Sequence, residues 1–381
     1  MYFDRPRLGD PEEGMILNST HAKNLTMLPE RNLDVLRAIA VLSVVSDHGL
    51  SASPLAHSLP FNPWILGRLG VLLFFVHTSL VLMSSLERQG DRPDWVRAFY
   101  VRRALRIYPL AIVCISIVVA LGIPSGVGAH GLTLVPAKAT LSTALSNLLL
   151  IQNLTGANNV MGVLWSLPLE IQMYLLLPFC FLIARSRAWG TAGLILLLMA
   201  SGYTVNPGQI PGIWRLSVFI FGPCFAGGVL AYHLIHHGTT PHIPSFWWIP
   251  AIALVALGFA ILKPDAEHPM TGWLPCLTLG LLIPQVRELG VSRLTRSAHW
   301  IAKYSYGIYL VHVPLLWVWL VPLRNLPSIL RWIGWLASTA LFSVAFFRLI
   351  ESPMIRFGSF LVRRPVHAES SHPTTIAPIA P

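Results

Sequence analysis

Charge is scarce in this chain: Asp, Glu, Lys and Arg make up 11% of its 381 residues, against 54% apolar. A soluble domain carries about a quarter charged residues. The shortage excludes an ordinary soluble enzyme, a disordered protein and a nucleic-acid-binding domain. Acidic residues are the rarer sign, 16 against 27 Lys and Arg, so the net charge is +11. The basic excess lies between long apolar runs, where it reads as the cytoplasmic side of a membrane protein and not as a nucleic-acid surface. Cysteine is limited to Cys114, Cys180, Cys224 and Cys276, all within apolar stretches. Their spacing fits neither a metal site nor a disulfide framework. No signal peptide is expected ahead of the first apolar run, because residues 1–30 are polar and carry both signs of charge.

What is present is apolar sequence in pieces long enough to cross a bilayer, which takes ~20 residues. Ten candidates are read: 33–50, 66–86, 107–123, 165–185, 189–204, 212–235, 246–262, 271–286, 304–322 and 329–350. The expected fold is therefore all-α, a polytopic transmembrane bundle. The apolar segment 140–152 is too short to span and is read as a re-entrant or surface helix. Residues 95–106 alternate aromatic and basic positions, as an interfacial helix leading into the third span would. With the N-terminus inside, 19 basic residues fall on the cytoplasmic side and four (Lys138, Lys263, Arg324, Arg331) outside. Arg37, Arg68, Arg215 and Arg348 fall within or at the ends of spans. This bias places both termini in the cytoplasm. The expected organisation is a polar segment (1–30), a ten-span membrane domain (31–356) and a short basic, Pro-rich, disordered tail (357–381). No motif repeats between the two halves.

An ionisable group inside a span costs several kcal/mol and marks a functional site by default. The first span, RNLDVLRAIAVLSVVSDHGL, holds Arg37 and His48 eleven residues apart. At ~100° per residue both lie on one helix face, ~16 Å apart along the axis. The bland alternatives are an arginine snorkelling to the interface and a histidine satisfied by a neighbouring helix; the shared face favours a joint site. His48 is the natural base, since imidazole takes and returns protons near neutrality. Asp47 points ~100° away and is read as a carboxylate reaching the outer interface.

Here a resemblance becomes visible. RNLDVLRAIAVLSVVSDHG resembles the opening signature of the membrane acyltransferase-3 family, an Arg, ten residues, then a His. GVLLFFVHTS (70–79), FYVRRALRIYP (99–109), LWSLPLEIQMYLLLP (164–178), YSYGIYLVHVP (304–314) and IESP (350–353) resemble the family's later elements, in order. The chain departs from the pattern at Thr78-Ser79, where the family has Ser-Gly, which puts close backbone approach there in doubt. His77 beside it is an added polar group, and Met173 stands where Phe is usual.

The resemblance implies an integral membrane O-acyltransferase. Such an enzyme moves an acyl group, often acetyl, from acyl-CoA to a hydroxyl of a sugar or another extracytoplasmic or lipid-linked acceptor. It also implies a bacterial inner membrane as the setting. An acceptor hydroxyl is a poor nucleophile and needs a base as it attacks the thioester, a role His48 fits. Coenzyme A carries several phosphates, and Arg102, Arg103 and Arg106 at the third span's cytoplasmic end suit them, guanidinium bonding two oxygens at once. The same arginines also satisfy the charge bias alone. Arg37 is expected to bind the phosphates or line the donor's channel. Glu170 is expected near the outer end of the fourth span at the height of His48, either hydrogen-bonding the imidazole or acceptor, or ion-paired with Arg68.

Trp165 either stacks on a sugar or joins the interfacial aromatic belt. Ser305, Tyr309 and His312 form one stripe of the ninth span, with Tyr309 and His312 facing substrate or bonding between helices. Glu351 is read as structural. His233, His236, His237 and His242 have a spacing compatible with a metal, but no acid or thiol accompanies them and the reaction needs none. The competing reading is a transporter or flippase using Arg37, His48 and Glu170 as a polar pathway, against which stands the missing repeat. A non-catalytic sensor has nothing in its favour.

Overall fold

The computed structural model describes residues 28–362, apart from 90–92, 125–126, 129–130, 133–138, 187, 206–216 and 263–268. Of the expected tail, residues 357–361 form the end of a helix that starts at Ser352 and are not disordered, while 363–381 and most of the N-terminal segment lie outside the described residues. The protein is helical, its only strands among those residues being the two-residue pair Val127–Gly128 and Gly131–Leu132. The principal helices are α1 (Glu30–Ser51), α2 (Trp64–Glu87), α3 (Trp95–Leu121), α4 (Leu141–Leu148), α5 (Leu167–Ser186) and α6 (Ala188–Thr204). They are followed by α7 (Ser217–His236), α8 (Trp248–Ile261), α9 (Trp273–Leu282), α10 (Arg293–Leu320), α11 (Ser328–Phe346) and α12 (Ser352–Leu361).

A helix occupies each of the ten apolar stretches. Among the described residues, five helical stretches are long and apolar enough to cross a membrane by themselves: α2, α3, Gly162–Ser186, α7 and Ser328–Leu361. α6 and Ser245–Ile261 are apolar but shorter. The expected interfacial helix is not a separate element, because 95–106 runs without a break into the third span as α3. Backbone groups in hydrocarbon have no water to bond, so helix is the form that satisfies them.

α2 sits at the centre, packed on α1 along one side and on α7 along another, while α1 packs on α10. α2 and α7 are mostly buried by protein, whereas α3 and α11–α12 leave most of their apolar surface outward. α1 and α10 run in the same direction: Asp34 meets His299 Nδ1 at 2.7 Å, Arg37 meets Ser305 at 2.7 Å, and His48 meets His312 at 2.8 Å. α3 and α5 run oppositely, Trp95 meeting Phe181 edge-on and the Tyr100 hydroxyl donating to the Leu175 carbonyl at 3.1 Å.

The segment before α5 folds on itself. Asn147 Nδ2 donates to the carbonyls of Thr143 and Asn158, its Oδ1 accepts from Val160 N–H, and Gln152 Nε2 donates to the Leu164 carbonyl. These bonds let α4 and the 3-10 turn Gly162–Ser166 carry irregular backbone against the bundle. The π-helical turn Phe347–Glu351 joins α11 to α12 and leaves Glu351 buried.

Candidate active site

Beyond Asp34, α1 presents Arg37 and His48 to α10, and both find partners there. His48 Nδ1 lies 2.8 Å from His312 Nε2, with the rings stacked at 5.0 Å between centroids. His312 is fully buried, and its Nδ1 lies 2.9 Å from the Ile308 carbonyl. A carbonyl only accepts, so His312 Nδ1 carries the hydrogen and its Nε2 is the bare nitrogen of a neutral ring. His48 Nδ1 must then donate to it, which leaves the lone pair of His48 on Nε2. The His48 side chain is 16% exposed, so that nitrogen is reachable. The geometry thus produces a histidine held in the tautomer a base needs, oriented by a second histidine whose own tautomer is fixed by backbone.

Asp47 does not reach an interface as expected. It is buried, accepts from Ser51 Oγ at 3.1 Å, and lies 3.9 Å from His48 Nε2. Gly67 of α2 makes the room: a Cβ there would stand 2.0 Å from Asp47 Oδ2. Helix-to-helix packing, invisible in the local pattern, draws this carboxylate inward.

Arg37 donates from Nε to Ser305 Oγ and lines two small cavities, each about 60 Å³. The first is also bounded by Phe74, Thr78, Ser166, Glu170 and Tyr309. The second adds His77, Arg103, Arg106 and Tyr174, and Tyr306 lines both. Glu170 therefore sits at the level of Arg37 and the α3 arginines, not at the height of His48. The reason is register: α3 is continuous from Trp95 and α5 starts only at Leu167, so with Tyr100 opposite Leu175 the start of α5 meets the middle of α3. Glu170 accepts a hydrogen bond from Tyr174, one turn on, and no ion pair joins it to Arg68.

Arg103 and Arg106 share the second cavity, and Arg106 also approaches the buried Glu351 at 3.4 Å. Arg102 lies on another face of α3, its backbone against Gly358 of α12, and does not line that cavity. Tyr309 lines the first cavity with its ring, but its hydroxyl is committed: it donates to the Val163 carbonyl at 2.6 Å and meets Ser166 Oγ at 2.7 Å. It anchors the turn before α5. The Arg68 guanidinium lies over the Trp165 ring, 5.1 Å from its centroid, and the Phe221 ring meets that indole at a tilt.

The departure at Thr78-Ser79 is accommodated. Ser79 Oγ donates to the Phe225 carbonyl at 2.7 Å, and Gly228 of α7 stands where any Cβ would meet Ser79 Oγ at 2.0 Å. α7 supplies the small residue that α2 lacks. His77 lines the second cavity, and its Nδ1 is buried without a hydrogen-bond partner.

The histidine cluster at the end of α7 is used in packing. His233 Nδ1 lies 2.7 Å from the Ala184 carbonyl and 3.1 Å from Thr191 Oγ1, and His236 approaches Glu87 at 3.9 Å. Burial and these two histidine neighbours hold His237, beyond the helix, below the ordinary histidine range. No group of three or more His, Cys, Asp or Glu among the described residues is arranged to hold a metal.

Two features escaped the sequence reading. The Arg68 guanidinium lies over the rings of Trp64, Trp165 and Phe221, 5.6, 5.1 and 4.7 Å from their centroids; the i, i+4 pair Trp64–Arg68 was the available signal. The contact of His48 with His312 had none, since it joins residues 264 positions apart.

Among known proteins the chain is similar to Nodulation protein 10 of Rhizobium leguminosarum bv. viciae, 25% identical over 87% of this chain and 95% of that one. It is also similar to the peptidoglycan O-acetyltransferase OatA of Listeria monocytogenes, 25% identical over 86% of this chain and 56% of that protein. The chain thus spans little more than half of the second relative's length. No solved structure matches it. A family model described as an acyltransferase domain matches residues 30–348, a stretch that holds both histidines, both cavities and the α3 arginines. On that match, the chain belongs to the acyltransferase-3 family.

Proposed function

We propose that this protein is an integral membrane O-acyltransferase that moves an acyl group, acetyl in the simplest case, from acyl-CoA to a hydroxyl of a carbohydrate acceptor. The observation that carries the reading is the hydrogen bond from His48 Nδ1 to His312 Nε2. It supports His48 Nε2 as the general base. In the proposed reaction that nitrogen takes the hydroxyl proton, the acceptor oxygen attacks the thioester carbonyl, the C–S bond breaks, and the proton passes to the departing thiolate. His312 shares the positive charge that His48 acquires, through the bond between them. Arg103 and Arg106 hold the donor's phosphates, with Arg102 as an outlying contact. Arg37 and Glu170 line the route between that end of the bundle and the histidines. Acetyl is the acyl group the ~60 Å³ cavities accommodate best.

The domain spans 31–356, crosses the membrane ten times and keeps both termini in the cytoplasm, with 19 basic residues inside and four outside in support. The bacterial inner membrane follows from the family resemblance and the bacterial source of both relatives. A glycan acceptor is favoured by the relative that carries peptidoglycan O-acetylation in its name.

The test is transfer of radiolabel from acetyl-CoA in membranes holding the unchanged protein or His48→Ala, with cell-envelope extract as acceptor. Label in a carbohydrate fraction with the unchanged protein, reduced ~10²–10⁴-fold in the variant, is expected. Equal label with both would remove His48 as the base.

A further inference from the structure

Among the described residues, Arg68 is a cation without a counter-ion. Its guanidinium lies among the rings of Trp64, Trp165 and Phe221, and no carboxylate among the described residues pairs with it. A charged side chain within a span is expensive and is ordinarily paired. The one acid that the sequence offered as a partner, Glu170, is bonded to Tyr174 elsewhere. A guanidinium held over aromatic rings keeps its N–H groups, the planar fork that bonds two oxygens of a carboxylate or phosphate. Arg68, Trp64 and Trp165 are only half-buried, so that fork is open.

Its position ties it to the histidine pair by two routes. The neighbouring residue on α2, Gly67, packs on Asp47, which precedes His48. The residue after Trp165, Ser166, bonds the Tyr309 hydroxyl, and the Tyr309 ring stands 6.3 Å from that of His312. The aromatic-lined cation is therefore held at the level of His48, at the opposite end of the cavities from Arg103 and Arg106.

We propose that Arg68 with Trp64 and Trp165 forms a subsite for an oxyanion carried by the acceptor, so that the preferred acceptor is an acidic sugar. The carboxylate or phosphate is bonded by the guanidinium edge, and the apolar face of the sugar lies on an indole ring. This rests on the carbohydrate-acceptor reading above. The same chemistry would bind a lipid phosphate, and the experiment separates the two sources.

Full-length protein in phosphatidylcholine nanodiscs is titrated by calorimetry with a neutral N-acetylglucosamine tetramer and with a tetrasaccharide alternating N-acetylglucosamine and glucuronate. The acidic sugar is expected to bind at least ~10-fold more tightly, from one added charge-assisted fork. Arg68→Gln should bring the ratio close to one, Arg68→Lys should keep part of it, and Trp165→Ala should weaken both sugars. Equal binding of the two sugars by the unchanged protein, or a preference that survives Arg68→Gln, overturns the subsite and leaves the acyltransferase reading standing. Failure to bind either sugar overturns both the subsite and the carbohydrate acceptor. Loss of the preference when phosphatidylglycerol replaces phosphatidylcholine assigns the oxyanion to a lipid headgroup and overturns the acceptor assignment.

Discussion

His312 carries no substrate contact in the proposed reaction, and yet its removal should cost a share of what removal of the base costs. Its Nε2 is the acceptor that holds the His48 hydrogen on Nδ1, and its own tautomer is held by the Ile308 carbonyl. Replacing it by Phe keeps ring volume but leaves His48 free to turn or to change tautomer. Acyl transfer by His312→Phe is expected to fall at least ~10-fold, a share of the 10²–10⁴ that a general base supplies. The double variant with His48→Ala should be no worse than His48→Ala alone, because residues acting as one unit are not additive. Independent, multiplying losses in a four-way comparison of initial rates would separate the two histidines. The sequence placed Arg37 and His48 on one face and put Ser305, Tyr309 and His312 on another helix's stripe. What it did not hold was that these two faces meet, since a contact across 264 residues leaves no local periodicity.

At the scale of helices, α2, α7 and α9 approach so closely that glycine is required on both sides. A Cβ on Gly227 would stand 2.3 Å from the Cys276 carbonyl oxygen, and one on Gly228 would meet the Val76 carbonyl oxygen at 2.2 Å. Backbone atoms cannot move aside as a flexible side chain can. Gly228→Ala is expected to cost about 1–3 kcal/mol, the price of overpacking. The check is the thermal midpoint of the detergent-solubilised protein, with Gly258→Ala, which meets nothing within 4 Å, as the control. An unchanged midpoint in Gly228→Ala would remove the close approach. The apolar stretches themselves were legible, because length and hydropathy are local properties. The depth of Glu170 was not, because it depends on a turn tied by Tyr309 to Ser166, 143 residues away.

For the whole molecule, the expected disposition in the membrane is open to a labelling test that uses the native thiols as their own background. All four cysteines are buried, so an impermeant maleimide should not modify the folded protein. Single cysteines at exposed positions then report sidedness: Ser58, between α1 and α2, and Thr240, between α7 and α8. Ser58→Cys should react from outside intact cells, and Thr240→Cys only in inverted vesicles. The reverse pattern would invert the topology, and reaction of both from one side would break the span count. Charge bias supplies this expectation, and it operates on loops regardless of what the spans do.

The parallel pairing of α1 with α10 also sets a timetable for synthesis. At about 5–20 residues per second, the ribosome delivers His312 roughly 13 to 50 s after His48. Throughout that interval the first helix carries an arginine and a histidine whose partners do not yet exist, in a solvent that penalises both. A chain released before residue 312 therefore holds one of the two histidines and none of the contact between them.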